Sequence, residues 1–222
     1  MRLVVVSAGL SVPSSTRLLA DRLAAAVVKA APPAAPVDVR VVELRELAVE
    51  IAHHFTSGFP GRKLAEALDA VTRADGLVVV TPVFTASYSG LFKSFFDVLD
   101  KDALDGKPVL IAATGGTARH SLVLDHALRP LFSYLRAVVL PTGVYAASED
   151  WGAEGLDERI ERGGAELAAL MAGRSARTGD TVTESGRPSV SGRSPERSPA
   201  ALTDTAFEVI PFEQRLAALA EG

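Results

Sequence analysis

Residues 76–90 read Gly-Leu-Val-Val-Val-Thr-Pro-Val-Phe-Thr-Ala-Ser-Tyr-Ser-Gly, an apolar run followed by a stretch without a formal charge. The run Leu77–Thr81 has the uniformly apolar, β-branched character of a parallel strand that helices cover on both faces. The uncharged stretch, Thr81–Gly90, then leads into a predicted helix at Leu91–Lys101. A connection of this composition suits a flat, mostly neutral aromatic ligand, and an ordinary strand-to-helix connection explains it equally well.

The alternation of strand and helix extends in both directions from this stretch. The predicted strands are Arg2–Ser7, Val37–Leu44, Leu77–Thr81, Pro108–Ala113 and Ala137–Leu140. Apolar residues at helical spacing predict helices at Ser15–Ala30, Arg62–Ala74, Leu91–Lys101, about Ala118–Leu135 and Gly155–Gly173. Repeated alternation of this kind favours right-handed crossovers and therefore an α/β doubly wound parallel sheet.

Composition narrows the range of functions. The net charge of −4 argues against a generic nucleic-acid-binding protein, because phosphate contacts require a basic face. The sequence has no cysteine, which excludes disulfides and thiolate catalysis, and with only 4 histidines no metal site is expected. The apolar run that ends at Val6 is too short for a signal peptide or a membrane span, so we expect a cytoplasmic protein without membrane contact.

Three parts of the chain differ in composition. Residues 1–173 are predicted to form one α/β domain, whereas residues 174–204 are rich in Ser, Gly, Pro and Arg and have little to bury. We therefore expect a disordered linker in the second part. A hydrophobic pattern returns over residues 205–222, which predicts a C-terminal arm that docks on the domain or on a neighbouring subunit, with a free helical tail as the alternative.

Hydroxyl-rich or uncharged segments follow the first, third and fourth predicted strands, whose carboxyl ends form the ligand-binding edge of a doubly wound sheet. The first segment places Ser11, Ser14, Ser15 and Thr16 at a helix start, where the amides and the positive dipole end attract anions. Arg17, in the first helical turn, opposes the dipole unless an anion is bound, so this loop predicts a phosphate site. The alternative is that Ser14 or Ser15 only caps the helix and that Arg17 is solvated.

The loop after the fourth strand reads Ala113-Thr-Gly-Gly-Thr117. Its two glycines, Gly115 and Gly116, lack side chains and therefore allow a ring to approach the backbone closely. Arg119 and His120 follow, either facing an anionic group or standing as exposed helix residues. The first loop has neither a Walker lysine motif nor G-x-G-x-x-G, which argues against a nucleoside triphosphatase and a Rossmann dinucleotide site.

Together these motifs resemble those of a known family. Ser-x-x-Ser-Ser-Thr-Arg-Leu-Leu at 11–19, Thr-Pro-Val-Phe-x-x-Ser-Tyr-Ser-Gly-x-Phe-Lys at 81–93 and Ala-Thr-Gly-Gly-Thr at 113–117 are similar to NAD(P)H-dependent FMN reductases of the flavodoxin-like superfamily. The resemblance covers residues 1–173, and is strongest to the reductases of sulfonate monooxygenases and to an actinobacterial branch paired with luciferase-like monooxygenases. It implies a flavodoxin-like, five-stranded parallel sheet of order 2-1-3-4-5 with helices on both faces.

The same resemblance implies which residues bind the cofactor. The FMN phosphate would contact Ser11, Ser14, Ser15, Thr16 and Arg17. The isoalloxazine ring would lie against Pro82, Val83, Phe84, Ser87, Tyr88 and Ser89. The far edge of the ring would meet Thr114, Gly115 and Gly116. The predicted site also includes Ser7, Thr85 and Arg119. We expect no catalytic side chain and no metal in it.

The implied activity is reduction of FMN by NADPH or NADH, and no recognisable reader of a ribose phosphate selects between the two nucleotides. Hydride passes directly from the nicotinamide C4 to the flavin N5, so the cofactors carry the chemistry and the protein positions the rings. The resemblance further implies a homodimer or homotetramer that supplies reduced FMN to a partner flavin-dependent monooxygenase. The alternatives are a quinone, azo or chromate reductase that retains FMN, and a less favoured flavodoxin-like electron carrier.

Pro130 interrupts the predicted helix Ala118–Leu135. Proline has no amide to donate to the carbonyl of His126 and crowds it, which predicts either a plain kink or a wide π-type turn. The sulfonate-type reductases carry such a π-turn at their subunit interface, where it is tied to the release of reduced flavin. By this resemblance we expect His126 to lie at an interface between subunits.

Overall fold

The computed structural model describes residues 1–179, with side chains through Arg174. The strands in this range are β1 (Arg2–Ser7), β2 (Asp38–Glu43), β3 (Gly76–Phe84), β4 (Ser87–Tyr88), β5 (Pro108–Gly115), β6 (Val138–Val139) and β7 (Val144–Ala147). The helices are α1 (Ser15–Ala30), α2 (Ala48–Ser57), α3 (Arg62–Arg73), α4 (Gly90–Asp97), α5 (Arg129–Tyr134) and α6 (Leu156–Gly179). Shorter elements are a π-helix at Leu124–Leu128 and 3₁₀ turns at Leu44–Glu46, Ala118–His120 and Ser148–Asp150. The predicted arm and most of the predicted linker lie outside the described residues.

The parallel strands follow the order β2-β1-β3-β5-β6, and β7 also pairs with β5 in parallel. The five predicted strands correspond to β1, β2, β3, β5 and β6, so the observed order is the predicted order 2-1-3-4-5. β4 is an additional hairpin strand that pairs with β3 in antiparallel orientation. Val5 of β1 lies between Val41 of β2 and Val78 of β3, and Val78 in turn lies beside Leu110 of β5. The predicted doubly wound parallel sheet is confirmed.

Side chains of the central strands alternate between two cores, one on each face of the sheet. On one face, Val5 and Val78 pack with apolar residues of α1 and α6. On the other face, Val6 belongs to a cluster that includes Phe132, whose ring lies edge-on to Phe96 at a centroid distance of 4.9 Å. Since both faces are covered, the ends of the strands are the places where this sheet can present polar groups to a ligand.

The stretch Thr81–Gly90 contains a β-hairpin rather than the predicted loop. β3 runs on beyond its predicted end and turns back into β4 through Thr85 and Ala86, whose φ angles are 49° and 64°. Positive φ is uncommon in residues other than glycine, and neither residue type signals a hairpin turn. The hydroxyl of Thr81 accepts a hydrogen bond from the Ser89 amide at 3.0 Å, which closes the hairpin where α4 begins.

Other predicted elements have different bounds as well, and the predicted helix Leu91–Lys101 runs only from Gly90 to Asp97 as α4. The predicted fifth strand, Ala137–Leu140, is only the first of two pieces, because the chain returns to the side of β5 as β7. The predicted helix Ala118–Leu135 is divided into a 3₁₀ turn, the π-helix and α5. At the end of the domain, α6 continues to Gly179, beyond the predicted end at Gly173.

The π-helix confirms a wide turn rather than a plain proline kink. The amide of Arg129 donates to the carbonyl of Leu124, five residues earlier, as a π-helix requires. Pro130 then stands in the first turn of α5, where its missing amide costs no helical hydrogen bond. His126, inside the widened turn, is exposed.

At the amino ends of the strands, the residue before β5 is a buried lysine, Lys107, which is 5% exposed. Its Nζ donates to the carbonyls of Val71, Thr72 and Ala74 at 2.9, 2.7 and 3.0 Å. These carbonyls lie at the end of α3, where a helix leaves its last carbonyls without internal donors, and the Val71 carbonyl also accepts a longer hydrogen bond, at 3.4 Å, from the Ala74 amide. Burial lowers the pKa of Lys107 to about 8, so at pH 7 the amine is mostly protonated and has all three donors.

Candidate functional site

An open cavity of about 390 Å³ lies at the carboxyl ends of β1, β3 and β5. Residues from the loop after β1 line it, and these are Leu10, Ser11, Ser14, Ser15 and Thr16. The ends of β3 and β5 and the segment after β7 complete the lining with Pro82, Val83, Phe84, Thr114, Gly115, Gly116 and Ser148. The volume is within the range of small-molecule sites, and none of the lining residues is charged.

The structure therefore brings most of the predicted residues together around one cavity. The predicted residues outside its lining are Ser7, Arg17, Thr85, Ser87, Tyr88, Ser89 and Arg119. Thr85 and Arg119 are exposed to solvent. Leu10 and Ser148 line the cavity although the sequence did not predict them.

The predicted N-cap at the start of α1 is confirmed. Ser14 Oγ accepts a hydrogen bond from the Arg17 amide at 3.2 Å. A Cβ on Gly9 would lie 2.1 Å from that oxygen, so the glycine makes room for the cap. The first turn of α1 contains no acidic residue, and the amides of Ser15 and Thr16 lie where a helix supplies no internal acceptor. This helix end can therefore accept an anion from the cavity.

Arg17 makes its contacts with two residues that do not line the cavity. Its Nε donates to Asp21 Oδ1 at 2.8 Å, and its Nη1 donates to Glu43 Oε1. Glu43 also pairs with Arg45 at 3.0 Å. Two carboxylates thus balance the cation that opposes the helix dipole, an arrangement that the sequence pattern did not predict because Glu43 lies on a different element.

Three hydroxyl groups are buried beside the cavity. The Oγ1 atoms of Thr16 and Thr114 are hydrogen-bonded at 2.8 Å, which joins the first loop to the third. Ser7, at the end of β1, is 1% exposed, and its Oγ has no hydrogen-bond partner among the described residues. An unsatisfied buried hydroxyl costs about 1–3 kcal/mol, which a polar group bound nearby would offset.

The predicted residues of the hairpin serve other contacts. Ser89 Oγ accepts a hydrogen bond from the Phe92 amide at 3.2 Å and caps α4. Ser87 and Tyr88 line a second cavity, of about 480 Å³, together with His126 of the π-helix. Of the residues predicted to hold a ring, the hairpin therefore presents only its first strand to the first cavity.

The two glycines of the third loop differ in their surroundings. A Cβ on Gly115 would lie 2.1 Å from Tyr145 Oη, whereas a Cβ on Gly116 would meet nothing within 4 Å. Tyr145, on β7, is 7% exposed, and its hydroxyl donates to the carbonyl of Thr117 at 2.7 Å. Gly115 thus provides space for a protein side chain, and Gly116 leaves space open for a ligand.

The segment after β7 holds the far end of the same loop. Glu149 Oε1 accepts a hydrogen bond from the Ala118 amide at 3.3 Å. Burial, followed by the charges of Asp150 and Glu149, raises the pKa of Tyr145, so its hydroxyl remains a donor at neutral pH. The sequence could have indicated these contacts only through the short apolar run Val144–Ala147, which is consistent with a strand that ends at the carboxyl edge of the sheet.

Comparison with known proteins shows the family to which this chain belongs. The family described as NADPH-dependent FMN reductase matches residues 1–152. The chain belongs to this family. As a member of the FMN reductases, the protein is an oxidoreductase that uses FMN together with NADPH or NADH.

Relatives of the FMN reductase support the assignment across the described domain. FMN reductase (NADPH) of Pseudomonas aeruginosa is 42% identical over 179 residues, which cover 78% of this chain and 94% of the relative. The NADH-dependent FMN reductase SfnF of Pseudomonas fluorescens is 40% identical, with 78% and 92% coverage. An oxidoreductase structure from Corynebacterium diphtheriae has a TM-score of 0.75 at 53% identity, covering 78% of this chain and 97% of that one.

A more distant structure shows the fold alone. The WrbA-like flavodoxin protein from Agrobacterium tumefaciens matches with a TM-score of 0.55 at 17% identity, covering 78% of this chain and 97% of that one. The predicted flavodoxin-like fold is therefore confirmed.

The residues around the cavity of the FMN reductase fit FMN. The helix end of α1 and the hydroxyls of Ser11 and Ser15 suit a phosphate, and the apolar wall at Pro82 suits a ring. The open side of Gly116 allows a ring to approach the backbone. Ser7 Oγ, buried at the same edge of the sheet, has no hydrogen-bond partner among the described residues.

Proposed function

We propose that this FMN reductase transfers hydride directly from the nicotinamide C4 to the flavin N5 and releases the reduced FMN to a partner flavin-dependent monooxygenase. The observation that carries the proposal is the open cavity of about 390 Å³, which no charged residue of the described chain lines. An open site favours exchange of the flavin. A site without a fixed carboxylate also avoids repelling the negative charge that reduction adds to the flavin.

The phosphate end of FMN is assigned to the first loop. The first-turn amides of α1 and the hydroxyls of Ser11, Ser14, Ser15 and Thr16 would hold its oxygens. In this arrangement the helix dipole supplies most of the positive potential. Arg17 contributes only if its guanidinium exchanges a carboxylate for the phosphate, because Asp21 and Glu43 hold it in the structure.

The ring of FMN is assigned to the space between the hairpin and the third loop. Pro82, Val83 and Phe84 form one wall, and Thr114, Gly115 and Gly116 form the other. The task of these residues is to hold the flavin and nicotinamide rings at reacting distance and to exclude water, since the cofactors supply the chemistry.

The remaining predicted residues act indirectly in this proposal. Ser89 fixes the hairpin by capping α4, and Ser7 lies buried beneath the first loop. Ser87 and Tyr88 face the second cavity, which we assign to a contact between subunits of a homodimer or homotetramer. The exposed His126 in the lining of this cavity supports that assignment, and sedimentation equilibrium of the wild type and a His126→Glu variant tests it.

We place the enzyme in the cytoplasm, together with the nicotinamide nucleotides that it uses. In the part of the chain that the structure describes, no helix is long and apolar enough to cross a membrane.

The central experiment measures whether the purified protein retains FMN and whether added FMN is required for oxidation of NADPH or NADH. We expect colourless protein, saturable FMN-dependent turnover, and a primary isotope effect with nicotinamide deuterated at C4. Protein that elutes with stoichiometric FMN, and that reduces quinones or azo dyes without added flavin, would instead support an FMN-retaining reductase.

Substitution of Arg17 tests the phosphate end of the site. Because two carboxylates already hold the guanidinium, we expect Arg17→Gln to raise the KM for FMN only about two- to threefold and to leave the KM for riboflavin unchanged. Steady-state kinetics with both flavins makes the measurement. An equal change for FMN and riboflavin would remove Arg17 from the phosphate site.

A further inference from the structure

We propose that Tyr145 and Glu149 are positioning residues that hold the loop Gly115–Ala118 in its flavin-binding conformation before the flavin arrives. We call this pair the β7 clamp. The inference rests on the proposed placement of FMN in the cavity at the carboxyl edge, and adds to it two residues that do not line that cavity.

The first half of the β7 clamp is a contact along the sheet. In the register of β5 and β7, Tyr145 lies beside Ala113. Its hydroxyl nevertheless reaches the carbonyl of Thr117, four residues farther along, at 2.7 Å. The buried ring thereby connects a core position of the sheet to an exposed loop backbone.

The second half of the clamp binds the other side of the same peptide unit, the one between Thr117 and Ala118. The Ala118 amide donates to Glu149 Oε1 at 3.3 Å, so one side chain holds the carbonyl of Thr117 and the other holds the amide that follows it. Asp150 fixes the segment that carries Glu149, because its Oδ2 accepts a hydrogen bond from the Ala147 amide at 2.8 Å. The two ends of the clamp therefore come from β7 and from the 3₁₀ turn that directly follows it.

This loop has a physical need for such a clamp. Gly115 and Gly116 are adjacent, and glycine loses more backbone freedom on ordering than any other residue. Gly116 and Thr117 are exposed, so packing against the core does not hold them. A loop that is ordered in advance spares the flavin the entropic cost of ordering it, which appears as higher affinity.

The surroundings of Gly115 support the same division of roles. A side chain there would collide with Tyr145 Oη, since even a Cβ would lie 2.1 Å away. Gly115 is thus matched to the clamp, whereas Gly116 leaves the cavity side open. Gly115 therefore makes room for the Tyr145 side chain, and Gly116 makes room for the ligand.

The decisive variant is Tyr145→Phe, which removes the hydroxyl and keeps the buried ring. Equilibrium titration followed by flavin fluorescence should show FMN binding weakened about three- to tenfold, the usual worth of one hydrogen bond. The kcat should stay within about twofold, because the clamp touches no reacting atom. Tyr134→Phe, the same chemical change at an 83% exposed position, is the matched control and should bind FMN like the wild type.

A second measurement separates positioning from general stability. In FMN-free protein, hydrogen exchange should become faster at the amides of residues 116–118 in Tyr145→Phe, while the amides of β1 and β3 keep their protection. Glu149→Gln should show the same local pattern to a smaller extent, because its hydrogen bond is longer and exposed.

Two results would overturn the β7 clamp. One is unchanged exchange at residues 116–118 together with unchanged FMN affinity in Tyr145→Phe, and the other is equal loss of protection throughout the sheet. Both leave the proposed function intact if the wild type still reduces FMN. A wild-type protein that neither binds FMN nor oxidises NADPH or NADH would instead contradict the proposed function, whatever the exchange data show.

Discussion

At the amino ends of the strands, the buried amine of Lys107 donates to three carbonyls, whereas at the carboxyl ends the buried hydroxyl of Ser7 has no partner among the described residues. The amino edge also has a reciprocal pair, in which the Arg2 amide donates to Asp75 Oδ2 at 2.6 Å and the Asp75 amide donates to the Arg2 carbonyl at 2.8 Å. One edge of the sheet satisfies its polar groups internally, and the other keeps some of them available.

The difference separates what stabilises the fold from what binds the ligand. Both edges belong to the same sheet and share the strands β1, β3 and β5. A change at the amino edge should therefore alter the free energy of unfolding and leave flavin affinity alone. A change at the carboxyl edge should alter flavin affinity, and it should change the free energy of unfolding only where it also disturbs a contact or a buried polar group within the protein.

The largest effect is expected for Lys107→Met at the amino edge. Methionine fills similar space but removes the donor to the carbonyls of Thr72 and Ala74, and it leaves the Val71 carbonyl with only the 3.4 Å hydrogen bond from the Ala74 amide. This loss exceeds the gain from removing a buried charge. We expect the free energy of unfolding to fall by about 2–3 kcal/mol, measured by urea denaturation. The KM for FMN should not change at temperatures where the variant is folded.

Lys29→Met is the matched control for this variant. Lys29 is paired with Glu161 at 2.8 Å on the exposed surface, where ion pairs contribute little. Its loss should change the free energy of unfolding by less than about 0.5 kcal/mol. Equal destabilisation by the two substitutions would contradict the special role of the amino edge.

An intermediate effect is expected for the two neighbouring glycines at the carboxyl edge. Gly115→Ala forces Tyr145 to move and should cost about 1–2 kcal/mol of stability. Gly116→Ala meets no protein atom, so its stability should match the wild type, while a methyl group on the cavity side should raise the KM for FMN about tenfold. Thermal unfolding should show a loss of stability for Gly115→Ala, and steady-state kinetics should show a raised KM for FMN for Gly116→Ala; both measurements are made on both variants. Equal losses of stability would show that Gly116 does not face ligand space.

The smallest effect is expected for Ser7→Ala, and its sign is unusual. Removing a buried hydroxyl that has no partner should stabilise the FMN-free protein by up to about 1 kcal/mol. The same change should weaken FMN binding about twofold if the hydroxyl serves the bound state. Urea denaturation without flavin measures the free energy of unfolding, and fluorescence titration measures the affinity for FMN. Ser121→Ala, at an exposed position, is the control. A destabilised variant would indicate that Ser7 already has a partner in the free protein.

Much of the fold could be predicted because local patterns determined it. The strand Arg2–Ser7 is apolar on both faces and the helix Ser15–Ala30 has a serine cap, and both have their predicted bounds in the structure. The hairpin tip at Thr85 and Ala86 was missed because two ordinary residues adopt positive φ, which surrounding contacts impose. β7 was missed because four residues after a Pro-Thr-Gly turn are too few to show a period.

The candidate site could also be predicted only in part. Hydroxyls and glycines next to strand ends could be assigned to one edge of the sheet from the order of elements alone. The contact of Arg17 with Glu43 and that of Tyr145 with Thr117 depend on side-chain direction between separate elements, which a linear pattern does not encode. Such contacts decide which predicted residues line the cavity.

The hydrogen bond between Thr16 and Thr114 has a consequence for biosynthesis. It joins residues 98 positions apart, so the first and third loops cannot meet until β5 has left the ribosome. At ordinary translation rates of about 5–20 residues per second, α1 waits roughly 5–20 s for its partner. The cavity at the carboxyl edge therefore cannot be completed until β5 has been synthesised, later than β1, β2 and β3.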